Sequence, residues 1–209
     1  ISPHMAPGLY EAFGTDEFDD LYLKYEADKT IPKKTVPAQD LFFDLLKERA
    51  ETGRIYIMNL DHCNSHSSFK DKVSMSNLCQ EITLPTTPIQ DIHDDQGEIA
   101  LCILSAVNVG GLNDLSELEN ICDLSVRALE QIIDYQDYPV KAAEVSTKKR
   151  RSLGIGYIGL AHYLAKNGVK YSDPKAWDLV DRLTEAFQYN LLRASCNIAM
   201  EKGKCEGFE

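Results

Sequence analysis

The stretch Ser76-Asn77-Leu78-Cys79-Gln80-Glu81-Ile82 places an amide, a thiol and a carboxylate at alternate positions. If it is extended, Asn77, Cys79 and Glu81 share one face, because strand side chains alternate. The three groups then span roughly 13 Å, at about 3.3 Å per residue. Such a row could hold a polyhydroxylated substrate against a sulfur atom. Leu78 and Ile82 occupy the opposite face and are expected to anchor the segment in an apolar core. Cys79 has no basic neighbour within three residues. A conventional cysteine nucleophile needs a base or cation to make thiolate, and a carboxylate opposes it. Neutral thiol chemistry, including hydrogen-atom transfer, fits this neighbourhood better than acyl transfer. A buried structural cysteine is the plainer alternative.

The flanking sequence supplies both strand and helix patterns. Asp40 to Arg49 reads as an amphipathic helix begun near Pro37. Arg54 to Asn59 reads as a strand after a Thr52-Gly53 break, Asp61 to Ser76 as a polar loop, and Asn77 to Leu84 as extended up to Pro85. Asp91 to Gly97 is an acidic turn, and Glu98 to Val109 is mainly apolar. Ser116 and Glu119 fit a capping box for a helix running to about Asp134. Leu160 to Asn167 predicts a helix closed by Gly168. Asp173-Pro174 starts another, which persists to about Lys202 and leaves room for a break within it.

The chain has 209 residues, 44% of them apolar, enough for one sizeable core or two small ones. Its 33 acidic and 22 basic residues give a net charge of -11. That balance disfavours nucleic-acid and anionic-membrane partners. No apolar run is long enough for a transmembrane helix, and Ile1 to Met5 shows no signal peptide. Six cysteines at irregular spacing fit a reducing, cytoplasmic setting better than a disulfide framework. Cys122 and Cys196 fall in helical patterns and are expected in the core. Leu160, Tyr163 and Leu164 form one expected core stripe, and Phe187, Leu191 and Leu192 another. Cys205 takes no role.

Three patterns invite other chemistry. His62, Cys63 and His66 could supply zinc ligands with Cys79 or His93 as a fourth, but the spacing matches no compact zinc motif, and a hydrogen-bonded loop is expected. Gly154, Gly156 and Gly159 have dinucleotide-binding spacing, yet they follow a basic turn rather than a clear strand. A helix-start or close-packing role is expected there. Lys148-Lys149-Arg150-Arg151 could approach a phosphate, although a solvated turn is the expected reading.

Taken in order, the motifs resemble the large catalytic subunit of class I ribonucleotide reductase. They are Gly53-Arg54-Ile55-Tyr56-Ile57, Asp61-His62-Cys63-Asn64, Ser76-Asn77-Leu78-Cys79 with Glu81, and Gly97-Glu98-Ile99-Ala100-Leu101-Cys102 with Leu104-Ser105-Ala106 and Asn108. Tyr135-Gln136-Asp137-Tyr138-Pro139 and Arg151-Ser152-Leu153-Gly154-Ile155-Gly156 follow. The resemblance covers nearly the whole chain. It implies an α/β fold: part of a ten-stranded α/β barrel with a central finger loop, here about residues 74–85, and a helix-rich C-terminal half. Residues 1–209 would be the central portion of that barrel.

By the same resemblance, Cys79 would carry a thiyl radical that takes the 3′ hydrogen of a ribonucleoside diphosphate. Glu81 would be the general base for the 3′ hydroxyl, and Asn77 would orient the ribose. Cys102 would be one member of the redox pair that reduces the 2′ carbon. The second redox cysteine is expected upstream of Ile1, and Cys63 is expected either to be structural or to back the residues that touch substrate. Tyr56, Tyr135 and Tyr138 are not expected to be the family's radical-transfer tyrosines. Those tyrosines, the nucleotide-sensing cone, a phosphate-binding segment and a terminal cysteine pair are expected outside this chain. No cofactor is expected on the segment itself. The implied partners are the remaining large-subunit segments, a small subunit with a diiron or dimanganese radical cofactor, and thioredoxin or glutaredoxin. Effectors of the ATP and dATP type would bind other parts of the large subunit. The alternatives are a noncatalytic structural or interaction fragment, active only when complemented by the other large-subunit segments, and a glycyl-radical relative.

Overall fold

The computed structural model describes residues 1–208 and divides the chain into two compact units, 1–85 and 86–209. The first unit contains α1 (Glu17–Ala27), α2 (Ala38–Thr52) and α3 (Leu60–Ser65). Its buried apolar residues include Ala6, Leu9, Ala12, Ile31, Leu60 and Val73. α1 ends where Lys33 Nζ donates to the carbonyls of Tyr25, Glu26 and Asp28, placing a cation on unpaired carbonyls at the negative end of the helix. α2 follows Pro37, as its sequence predicts, and closes on Gly53 in the left-handed conformation, whose N–H reaches the Arg49 carbonyl. No residue of α1 or α2 is buried.

Two expectations for the stretch before Ser76 fail. Arg54 to Asn59 forms no strand, and the predicted polar loop begins as α3. The Asn64 side chain explains how the rest of that loop is held. Its Nδ2 donates to the carbonyls of Leu60 and Val73, and its Oδ1 accepts from the Val73 N–H at 2.8 Å. The amide thus pairs with Val73 as a second strand would, and Val73 is fully buried.

The second unit is built on two parallel strands, β1 (Ile103–Asn108) and β2 (Leu153–Ile158), in register from Ile103 opposite Leu153 to Asn108 opposite Ile158. Parallel neighbours require a long crossover. α4 (Leu118–Tyr135) and α5 (Lys141–Arg150) supply it. α6 (Leu160–Lys166) and α7 (Pro174–Lys202) follow. This is a mixed α/β arrangement with a helix-rich end. Among the described residues the sheet has two strands, rather than the ten of the expected whole barrel.

Apolar residues from β1, α4, α6 and α7 meet around Val107, Leu118, Cys122, Tyr163, Leu183 and Phe187, with Leu160 and Leu191 packed against them. Val126, Ala194 and Ile198 continue the contact between α4 and α7. Arg127 completes it with a two-pronged pairing to Glu201, both bonds 2.7 Å long. Leu164 is fully enclosed, so the predicted α6 stripe is core. Cys122 is enclosed as expected, and burial pushes its thiol pKa up. Cys196 and Leu192, by contrast, lie on the exposed side of α7.

Helix boundaries follow the predicted caps, with one correction. α7 runs unbroken from Pro174 to Lys202. α4 is not capped by Ser116. Asp114 accepts from the Ser116 N–H at 2.8 Å, and Glu117 accepts from the Asn113 N–H, so the capping pair sits two residues earlier and opens a 3-10 turn.

Candidate active site

Asn77, Cys79 and Glu81 lie in the first unit and Cys102 in the second. The segment 76–82 is a turn rather than a strand. The Gln80 N–H donates to the Asn77 carbonyl at 3.1 Å, and Gln80 takes a left-handed φ of 63°. Strand alternation therefore does not set the face of Asn77, Cys79 and Glu81. Leu78 is 77% exposed instead of anchoring a core, and Ile82 is half-buried.

Local polar bonding explains why a turn wins. Asn77 Oδ1 accepts from the Ile82 N–H at 3.0 Å, and Ser76 Oγ donates to the Ile82 carbonyl at 2.7 Å. Ser and Asn side chains compete in this way with strand pairing. The result is a tied loop whose stems meet at Ser76-Asn77 and Ile82. Cys79 and Glu81 are both exposed on it, while Asn77 is half-buried at its base. Because the Asn77 oxygen is engaged with backbone, its amino group is the part left to meet a ligand.

Cys102 immediately precedes β1 and is half-buried. Its backbone is fixed on both sides. The Ile103 N–H donates to the Ser152 carbonyl, and the Ile99 N–H donates to the Ala142 carbonyl. Glu98 anchors the approach. Its carboxylate is buried and receives Lys149 Nζ at 2.6 Å and Arg150 Nε at 2.9 Å. Burial disfavours its charge, but the bonds from Lys149 and Arg150 outweigh that and hold its pKa below the usual glutamate value.

The basic run is therefore not a solvated turn. It forms the end of α5, where Lys148 binds Glu144, Lys149 and Arg150 bind Glu98, and Arg151 binds Glu130 and Asp134. Lys148 and then Lys141 hold Glu144 down to about 2.

The three glycines lie on or next to a strand, which corrects their assignment to a sequence after a turn. The close-packing expectation holds at two of them. A Cβ on Gly154 would stand 2.7 Å from Cys102 Sγ, and one on Gly159 would collide with Asn108 Oδ1. Gly159 also starts α6 with a φ of 80°, a left-handed conformation suited to glycine.

Around Cys63 the loop is hydrogen-bonded within itself. His66 Nδ1 lies 3.0 Å from Ser65 Oγ and 3.1 Å from the His62 carbonyl. Among the described residues no group of three or more His, Cys, Asp or Glu gathers to hold a metal. Tyr138 donates to the Ile133 carbonyl and accepts from Gln136, closing the end of α4. Tyr135 is 90% exposed. No described helix is long and apolar enough to cross a membrane.

Sequence reasoning missed the Asn64 amide paired with Val73 in the first unit and the buried Glu98 before Cys102 in the second. Each depends on a partner beyond the reach of local patterns. At Gly154 the glycine spacing was the signal available.

The family described as "Ribonucleotide reductase, barrel domain" matches residues 1–209. The chain is 58% identical over 213 aligned residues to the ribonucleoside-diphosphate reductase subunit alpha of Haemophilus influenzae. It is 53% identical to subunit alpha of ribonucleoside-diphosphate reductase 1 of Escherichia coli and 40% identical to the subunit alpha of Enterobacteria phage T4. All three alignments cover the whole chain and 28% of the relative.

Proposed function

The chain belongs to the ribonucleotide reductase barrel family, and from that premise we propose that it carries the central catalytic residues of a class I large subunit, reducing ribonucleoside diphosphates to deoxyribonucleoside diphosphates. The observation that most supports the reading is the tied loop at 76–82, which exposes a thiol and a carboxylate above a half-buried amide. In the complete protein this loop would be the finger of a ten-stranded barrel, residues 74–85, and β1 and β2 two adjacent barrel strands.

Each role follows from the chemistry of its group. Cys79, as a thiyl radical, accepts the 3′ hydrogen atom of the ribose. Glu81 takes the 3′ hydroxyl proton as general base and so assists loss of the 2′ hydroxyl as water. Asn77 donates to the ribose hydroxyls through its amino group. Cys102 and a second cysteine elsewhere in the large subunit supply two electrons and two hydrogens to the reaction and become a disulfide. The 2′ carbon loses its hydroxyl and gains a hydrogen, and Cys79 returns the 3′ hydrogen. Thiol–disulfide exchange with thioredoxin or glutaredoxin restores the pair. A partner small subunit, with a diiron or dimanganese cofactor, would supply the radical. Effector nucleotides of the ATP and dATP type would act on other parts of the large subunit, and the assembly would work in the cytoplasm.

The test is turnover by the complete assembly carrying single substitutions. Cys79→Ala abolishes reduction and leaves substrate binding intact. Cys102→Ala stops disulfide-linked multiple turnover. Normal turnover by Cys79→Ala would remove the radical role from that residue.

A further inference from the structure

Gly154 lies on β2 opposite Leu104, at the point where Cys102 enters β1. A Cβ built there would stand 2.7 Å from Cys102 Sγ and 2.5 Å from Leu104 Cδ2. Real carbon and sulfur atoms do not approach so closely, so one of the two groups would have to move. The obstructing atoms are ends of side chains, not backbone, so the strand pairing itself does not demand glycine. Nor does the conformation, because Gly154 is absent from the positive-φ glycines. What the missing side chain provides is the volume in which the Cys102 sulfur rests.

Gly156 is an internal comparison. It lies two residues further along β2, on the same face by strand alternation. A Cβ there meets nothing within 4 Å. The same substitution on the same strand therefore displaces the sulfur at one position and touches nothing at the other.

We propose that Gly154 is a positioning residue for the redox thiol, holding a seat against β2 from which Cys102 Sγ reaches the 2′ carbon and its partner cysteine. The proposal rests on the reading of Cys102 as a redox cysteine. Cysteine has a single side-chain torsion carrying its sulfur, so it cannot yield to a methyl group without re-aiming the thiol. Misplacement of a reacting group by about 1 Å can cost on the order of 100-fold in rate.

The experiment uses the complete large subunit with its small subunit and reductant, and cytidine 5′-diphosphate as substrate. Gly154→Ala lowers kcat on the order of 100-fold with KM close to the wild-type value. In a parallel reaction without reductant, quenched after the time that wild type needs for one turnover, alkylation and mass spectrometry find Cys102 still largely reduced. Gly156→Ala matches wild type in all three readings. Wild-type kcat in Gly154→Ala overturns the proposal, as does equal impairment of both glycine variants. The double variant Gly154→Ala with Leu104→Ala relieves the Leu104 contact and keeps the sulfur contact, guarding against loss of folding. Recovery of turnover in the double variant would show that Leu104, not the thiol, was displaced, and would also overturn it. If Cys102→Ala turns over normally, the redox reading itself fails. If Cys102→Ala is inactive while Gly154→Ala is normal, only the positioning role fails.

Discussion

Asn77 divides its two polar atoms between structure and ligand. Its oxygen accepts from the Ile82 N–H and keeps the loop tied, which leaves the amino group as donor. Asn77→Asp preserves the acceptor and deletes the donor, so the loop should persist while the proposed ribose contact is lost. We expect kcat/KM for diphosphate reduction to fall by roughly tenfold, about 1.4 kcal/mol of transition-state stabilisation. Asn77→Ala deletes both functions and should fall further. Equal rates for wild type and Asn77→Asp would show that the amino group does not serve the reaction. The residue types at 77, 79 and 81 were legible in sequence, because amide, thiol and carboxylate each carry a recognisable chemistry. Their geometry was not. Alternation suggested a strand, and two side-chain bonds to Ile82 made a turn instead.

At the scale of elements, helix ends were legible and strand partners were not. Pro37, Pro174, Gly168 and Gly203 act on backbone within a turn or two of themselves, so local reading suffices. The pairing of β1 with β2 spans fifty residues of chain, and nothing local to Arg54–Asn59 reveals that this apparent strand goes unpaired. The basic end of α5 is the same case. Arg150 finds Glu98 from 52 residues away, so four successive cations that looked solvated are ion-paired.

That buried pairing has a pH consequence. The Glu98 pKa is lower folded than unfolded, where the ordinary value is 4.5. The stabilisation is thus fully present above about 4.5 and is lost as pH falls through the lower folded value. Amide exchange at α5 in the complete subunit should accelerate across that acid window. Glu98→Gln should accelerate it already at neutral pH, by an opening free energy of about 3 kcal/mol, the cost of removing the negative charge that pairs with the buried Arg150 guanidinium. An α5 exchange rate unaffected by Glu98→Gln would contradict the role of this ion pair.

At the scale of the whole molecule, the chain spans 28% of the length of the Haemophilus influenzae relative that it matches. α2 exposes Leu41, Phe42, Phe43 and Leu46, a run of apolar side chains more typical of surface that another segment covers. The proposed chemistry is distributed in the same way. The proposal puts the radical thiol, the base and one redox cysteine on this chain, and the second redox cysteine and the radical source elsewhere. The most direct measurement is therefore reduction of a ribonucleoside diphosphate by this polypeptide, first alone and then with the remaining large-subunit segments, the small subunit and thioredoxin. The account predicts no product from the chain alone and deoxyribonucleoside diphosphate from the full mixture. Absence of product from an assembly shown to be intact and to hold its radical would contradict a catalytic role for this segment.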